Sequence, residues 1–188
     1  MTDASGTLID QWLATFDFVE RHKISIDASR AKIYDSIRHL AFHRVAIIRV
    51  LFALRSLPGL FRGQEKRLAL TIDNLQRNGF MILEERQDEE LVIGVVGKFW
   101  KPSGQIRRIP VWEFKTFEEP GFAKAVWNFR IEEEQGRMIL STETRIRCLD
   151  GEARRKFAPY WFVIQPFSGL IRMAMLHVIK REAERDEE

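Results

Sequence analysis

Apolar and polar positions change period twice along this chain, and the changes divide it into three stretches. Asp17 to Asp27 mixes polar residues with Phe18, Ile24 and Ile26, as a half-buried strand does. Asp27 or Ser29 then supplies a cap, and Ile33, Tyr34, Ile37 and Ala41 recur at helical spacing, which predicts a short amphipathic helix. Arg44 to Leu57 is apolar on nearly every side and ends at Pro58-Gly59, a pattern for a second, well-covered helix; Leu68 to Asn78 adds a further turn or two before Asn78-Gly79.

From Phe80 onward the period shortens. Phe80 to Arg86, Leu91 to Trp100, Val111 to Phe117, Phe122 to Ile131 and Met138 to Leu149 read as five strands. Between them lie turn-forming residues such as Lys101-Pro102-Ser103-Gly104 and Glu119-Pro120-Gly121, so the strands should follow one another as an antiparallel meander. A two-residue loop at Glu134-Gln135 would pair Ile131 with Met138, Phe129 with Leu140, Trp127 with Thr142 and Ala125 with Thr144. That register makes one face apolar and leaves Lys124, Asn128, Ser141, Glu143 and Arg145 on a face expected to meet water.

After Asp150-Gly151 a helical stripe takes over: Phe157, Trp161, Ile164, Ser168, Ile171, Met175 and Val178. Pro159 and Pro166 predict a kink or a break in this long C-terminal helix, and the charged residues from Lys180 to Glu188 predict a solvated tail. The whole pattern describes one domain, 1–188, with about fifteen N-terminal residues as an extension. Its class is α+β.

Composition narrows the function. Hydrophobic residues make up 45% and charged residues 30%, ordinary globular values, and a net charge of +3 with scattered basic residues argues against nucleic acid as a partner. The lone Cys148 cannot close an internal disulfide and no apolar leader follows Met1, which points to a reducing cytoplasm. Val45 to Leu57 is interrupted by Arg49 and Arg55 and is too short to span a bilayer. Neither a nucleophile elbow, a Walker loop nor a dinucleotide fingerprint occurs, so nucleophilic and nucleotide chemistry are disfavoured and no cofactor is expected.

The order of elements resembles the START-like helix-grip superfamily, which includes polyketide cyclases, lipid-transfer domains and pollen-allergen-like proteins. The segments that carry the resemblance are ERHKISIDASRAKIYDSIRHL, AKAVWNFRIEEEQGRMILSTETRIRC and the helix opening at EARRKFAPYW; LVIGVVGKFW and YWFVIQPFSGLIR are similar to a bacterial branch of the superfamily. The resemblance implies a curved antiparallel sheet wrapped around the C-terminal helix, with a hydrophobic ligand held between them.

On that reading Trp127 and Phe129 face inward, Trp112 and Phe114 join them from the preceding strand, Thr142 and Thr144 offer hydroxyls, and Trp161, Phe167 and Ile171 close the pocket from the helix. The same residues also suit plain core packing, and a buried threonine is as readily satisfied by a strand backbone as by a ligand.

Binding or carriage of a small hydrophobic molecule is the first functional expectation. A cyclase or aromatase acting in the same pocket is the second; it needs Glu113, Glu143, Arg145 or a histidine turned into the pocket as proton donor or acceptor. A closed-cavity interaction module is the third.

Other candidates have ordinary explanations. Asp35, His39 and His43, spaced by four, have the spacing for a divalent metal but read more simply as a solvated helix face, and His22 and His177 lack a neighbouring nucleophile. Cys148 reads as an apolar filler. Arg44 to Leu57 with Arg62, Lys66 and Arg67 suits either a covering helix or a transient contact with an anionic membrane surface. The oligomeric state has no signature in the sequence.

Overall fold

The computed structural model describes residues 6–39, 79–101 and 103–185. Among these residues, three helices, α1 (Leu8–Trp12), α2 (Arg30–Arg38) and α3 (Gly151–Ala183), accompany five strands, β1 (Phe18–Ile26), β2 (Met81–Arg86), β3 (Glu90–Gly97), β4 (Ala123–Glu134) and β5 (Arg137–Cys148). The strands form one sheet in the order β1-β5-β4-β3-β2, with every neighbouring pair antiparallel. The predicted helix Arg44 to Leu57, the turn Leu68 to Asn78 and the membrane-contact segment Arg44 to Arg67 lie outside the described residues.

The β4–β5 hairpin turns at Gln135-Gly136 rather than at Glu134-Gln135. Both turn residues have positive φ, 53° and 77°, the conformation that matches the right-handed twist of the flanking strands, and glycine takes the second position without steric cost. Ile131 therefore pairs with Leu140 and Trp127 with Thr144, a register displaced by two residues from the predicted one. Because side chains alternate with period two, a two-residue displacement keeps every residue on its predicted face.

The inner face carries Leu91, Ile93, Val95, Ala125, Trp127, Phe129, Ile131, Leu140 and Ile146. It packs against Ile33, Tyr34 and Ile37 of α2 and against Phe157, Trp161, Met175, Leu176 and Ile179 of α3. Phe157 is the hub of the aromatic end, with Phe18, Phe99, Trp100, Tyr160 and Trp161 around it at centroid distances of 5.0 to 6.4 Å. A fully buried phenylalanine of this kind is worth roughly 3–5 kcal/mol to the fold.

α3 runs through Pro159 and Pro166 as one helix of 33 residues. Both prolines lie on its exposed side, so the backbone bonds they cannot make are lost where water can replace them. Asp150 caps the N-terminus by accepting from Ala153 N at 2.7 Å. At the other end Lys180 donates to Ser25 O at 2.7 Å and Glu184 accepts from Asp27 N at 2.7 Å, which ties that part of the expected tail to the end of β1; 186–188 lie outside the described residues.

The outer face overturns an expectation. Over β3 and β4 it does not meet water: Val92, Val96 and Val126 are covered by Leu8, Ile9, Leu13, Phe114, Phe117 and Phe122 in a second apolar cluster, while Arg21 and Lys23 on the outer side of β1 stay exposed. The predicted strand Val111 to Phe117 is the reason for part of this cover. Val111–Glu113 is a 3-10 turn entered through Pro110, and Phe117 N bonds back to Glu113 O at 2.9 Å. Phe114 and Phe117 stand three apart, which puts both on one side of a helical coil and on opposite faces of a strand. Coil wins because both rings are then buried.

Candidate functional site

On β1, residues two apart share a face, so Glu20 and His22 point to the same side as Phe18, Ile24 and Ile26. That side is the inner one, because Phe18 opposes Ile146 and Ile24 opposes Leu140. Between those apolar rungs, Glu20 opposes Thr144 and His22 opposes Thr142. Thr144 in turn opposes Trp127, and Trp127 opposes Ile93. A polar patch therefore interrupts the inner face, bounded by aromatic and aliphatic side chains.

His22 Nε2 and Glu20 Oε1 are 3.0 Å apart. The second carboxylate oxygen, Glu20 Oε2, is buried and finds no hydrogen-bond partner among the described residues. The same holds for Trp127 Nε1. Both side chains are more than nine-tenths buried, with relative exposures of 9% and 8%. An unmet buried hydrogen-bonding group costs about 1–3 kcal/mol, so two of them on one face are informative.

α3 completes the patch. Arg172 sets its guanidinium carbon 5.2 Å from the Trp127 ring centroid, over its face. Burial pushes the Arg172 pKa down to about 10, with the nearby Glu20 charge opposing that shift. Among the described residues Arg172 forms no ion pair. Gly169 lies against the Glu20–His22 pair: a Cβ there would stand 2.8 Å from Glu20 Oε1 and 3.3 Å from the His22 ring. The absent side chain lets the helix backbone close on the two polar groups.

Of the residues expected to line a pocket, Trp127, Phe129, Thr142 and Thr144 lie together on the inner face. Thr142 Oγ1 is satisfied by Asn128 O at 2.6 Å, the strand-backbone alternative. Trp161 is buried on α3, stacked on Phe157 at 5.8 Å, and Ile171 packs against the same core while Phe167 is half-buried. Two expectations fail. Trp112 is 79% exposed, and Phe114 is buried in the outer cluster with its ring 6.2 Å from Trp12; both follow from the 3-10 turn.

Glu143 and Arg145 point outward as expected, but they are no surface pair. Arg145 is buried beneath α1, bonding Glu143 Oε1 at 2.6 Å, Asp10 Oδ1 at 2.7 Å and Leu13 O at 3.0 Å. Glu113 belongs to the 3-10 turn, where its carbonyl accepts from Phe117 N. Among the described residues, His22 is the one expected proton-moving group that reaches the inner face.

Asp35 and His39 meet at 3.1 Å on the exposed surface of α2, and His43 lies outside the described residues. A separate polar cleft of about 300 Å³, lined by Arg30, Arg86, Glu89, Glu90 and Arg130, involves none of the patch residues. α3 is long and apolar enough to cross a membrane by length and composition; its inner stripe is packed on the sheet, while Phe162, Val163 and Leu170 are exposed.

The chain has a helix-grip fold. One antiparallel sheet holds a long C-terminal helix against its inner face. No family model matches the chain, and no curated protein matches it by sequence. Among solved structures, a protein from Nitrosospira multiformis is similar at 9% identity and a TM-score of 0.41, covering 88% of this chain and 96% of that one. The di-domain aromatase/cyclase StfQ of the steffimycin biosynthetic pathway is similar at 8% identity and a TM-score of 0.37, covering 88% of this chain and 50% of that one. The Zhui aromatase/cyclase from a Streptomyces species is similar at 16% identity and a TM-score of 0.29, covering 89% of this chain and 94% of that one. At these scores the likeness carries no residue correspondence.

Proposed function

We propose that this protein binds a small apolar molecule between the inner face of the sheet and α3. The observation that carries the reading is the pair of unpartnered buried atoms, Trp127 Nε1 and Glu20 Oε2, in a polar patch bounded by apolar side chains. Apolar walls with a few convergent polar groups are the usual make-up of a small-molecule site: the walls supply affinity and the polar groups fix orientation. Native mass spectrometry of gently purified protein, repeated after solvent extraction, tests this reading. A stoichiometric apolar adduct that extraction removes is the expected result, and Trp127→Ala or Trp161→Ala should diminish it. An adduct that persists undiminished in both folded variants would place the ligand elsewhere.

One observation favours a second reading, catalysis by proton transfer in the same space. His22 and Glu20, 3.0 Å apart, form a proton-transfer pair on the inner face, with the Glu20 charge within reach of Arg172. The chromogenic proton-abstraction substrate nitrobenzisoxazole reports on such a base. Turnover that disappears in His22→Gln supports catalysis; turnover no faster than that of the His22→Gln variant leaves a binding protein.

A further inference from the structure

Glu20 and Trp127 mark the two ends of one rung, Glu20–Thr144–Trp127. Two strand spacings, roughly 10 Å, separate their backbones. Their unmet needs are opposite in kind. Glu20 Oε2 is an acceptor in want of a donor, and Trp127 Nε1–H is a donor in want of an acceptor. Arg172 lies over the Trp127 ring and its positive charge also reaches Glu20, while His22 already occupies the other oxygen of Glu20.

These needs select among ligand end groups. A hydrocarbon end leaves both atoms unmet. A free carboxylate brings acceptors only, so it suits Trp127 and Arg172 but sets a second negative charge facing Glu20, where like charges repel strongly in a desolvated space. A hydroxyl alone meets one end of the rung.

We infer that the molecule held here ends in an uncharged hydroxy-carbonyl group, its hydroxyl donating to Glu20 Oε2 and its carbonyl accepting from Trp127 Nε1. This inference rests on the binding reading above and adds the class of ligand to it. The two ends of the rung then read two different groups, and a compound lacking either leaves a buried partner unpaired, which is how a site rejects a near-isostere.

Four naphthalene probes measured by titration calorimetry test the assignment: an acetylnaphthol with its two groups meta to one another, acetylnaphthalene, naphthol and naphthalene. The acetylnaphthol should bind about ten-fold tighter than either single-group probe and about a hundred-fold tighter than naphthalene, at one hydrogen bond per step. Glu20→Met should abolish the affinity ratio between acetylnaphthol and acetylnaphthalene, and Trp127→Phe the ratio between acetylnaphthol and naphthol, whatever either change does to the affinity for naphthalene itself. Equal affinity for naphthalene and acetylnaphthol would overturn the hydroxy-carbonyl assignment and leave apolar binding standing. Equal weakening of all four probes in either folded variant would overturn it too. Failure of every probe, naphthalene included, would overturn the binding reading itself.

Discussion

Two buried polar clusters lie on opposite faces of the same sheet, and they are built on different terms. On the outer face, Glu90 accepts from Leu8 N at 2.9 Å and from Asn128 Nδ2 at 2.6 Å, Asn128 Oδ1 accepts from Glu143 N at 2.8 Å, and Arg145 ties Glu143 to Asp10. Lys124, also buried, donates to Lys115 O at 3.1 Å and reaches Glu118 at 3.2 Å. No atom of these residues is among those left buried and unpartnered. On the inner face, Glu20 and Trp127 each keep one atom unmet. A saturated cluster is finished by folding and serves the fold, here by fastening α1 to the sheet. An unsaturated one costs stability that folding does not return, and such a cost is what a binding site carries before its ligand arrives.

The difference can be broken or sharpened by substitution. Removing the Phe157 ring sets the upper scale: Phe157→Ala should lower stability by about 4 kcal/mol in urea denaturation, because five aromatic neighbours lose their common contact. A loss below about 1 kcal/mol would mean that the inner core is far looser than described.

Glu90→Gln comes next. Glu90 receives only donors, from Leu8 N, Ile9 N and Asn128 Nδ2, so the new amide nitrogen must meet one of them head-on; the expected cost is about 2–3 kcal/mol. Glu20→Gln is the matched change on the other face, and it should cost less than about 1 kcal/mol, since one of the oxygens being altered bonds nothing. Equal costs for the two would remove the distinction between a finished cluster and an open one.

The smallest effect concerns Cys148, at the inner edge of β5. Burial first, then the Asp17 charge, push its thiol from an ordinary value near 9 up to about 12. The folded protein should therefore react with iodoacetamide far more slowly at pH 8 than the urea-unfolded chain; equal rates would show the thiol to be unburied. The sign of the pH effect on stability follows. Above pH 9 the unfolded thiol loses its proton while the folded one keeps it, so this group favours unfolding increasingly as pH rises toward 12 and has no effect below 9.

Much of this arrangement was legible in the chain itself. Period-two and period-three-to-four patterns marked β1, four of the five meander strands and the C-terminal helix, because burial of one side of an element repeats at the element's own spacing. The hairpin register lies two residues from the one the turn residues predict, yet the faces agree, since only an odd displacement exchanges them. Glu20 and His22 were legible too: they keep the alternation of Phe18, Ile24 and Ile26, and a strict period-two reading of β1 turns them inward. Their polarity concealed them, because a polar residue in a half-buried strand is ordinarily assigned to water.

Tertiary structure alone decided the rest. Nothing local distinguishes Phe114 on a strand from Phe114 on a coil laid across the outer face; the apolar surface of Val92, Val96 and Val126 that rewards the second choice comes from other strands. Nor does sequence bring Arg172 and Gly169 to Glu20, across some 150 positions, since that meeting depends on how α3 is rotated and seated on the sheet. Periodicity records which side of an element is buried. Which buried polar atoms go without partners depends on what the other elements place opposite them, and that is a property of the packed fold.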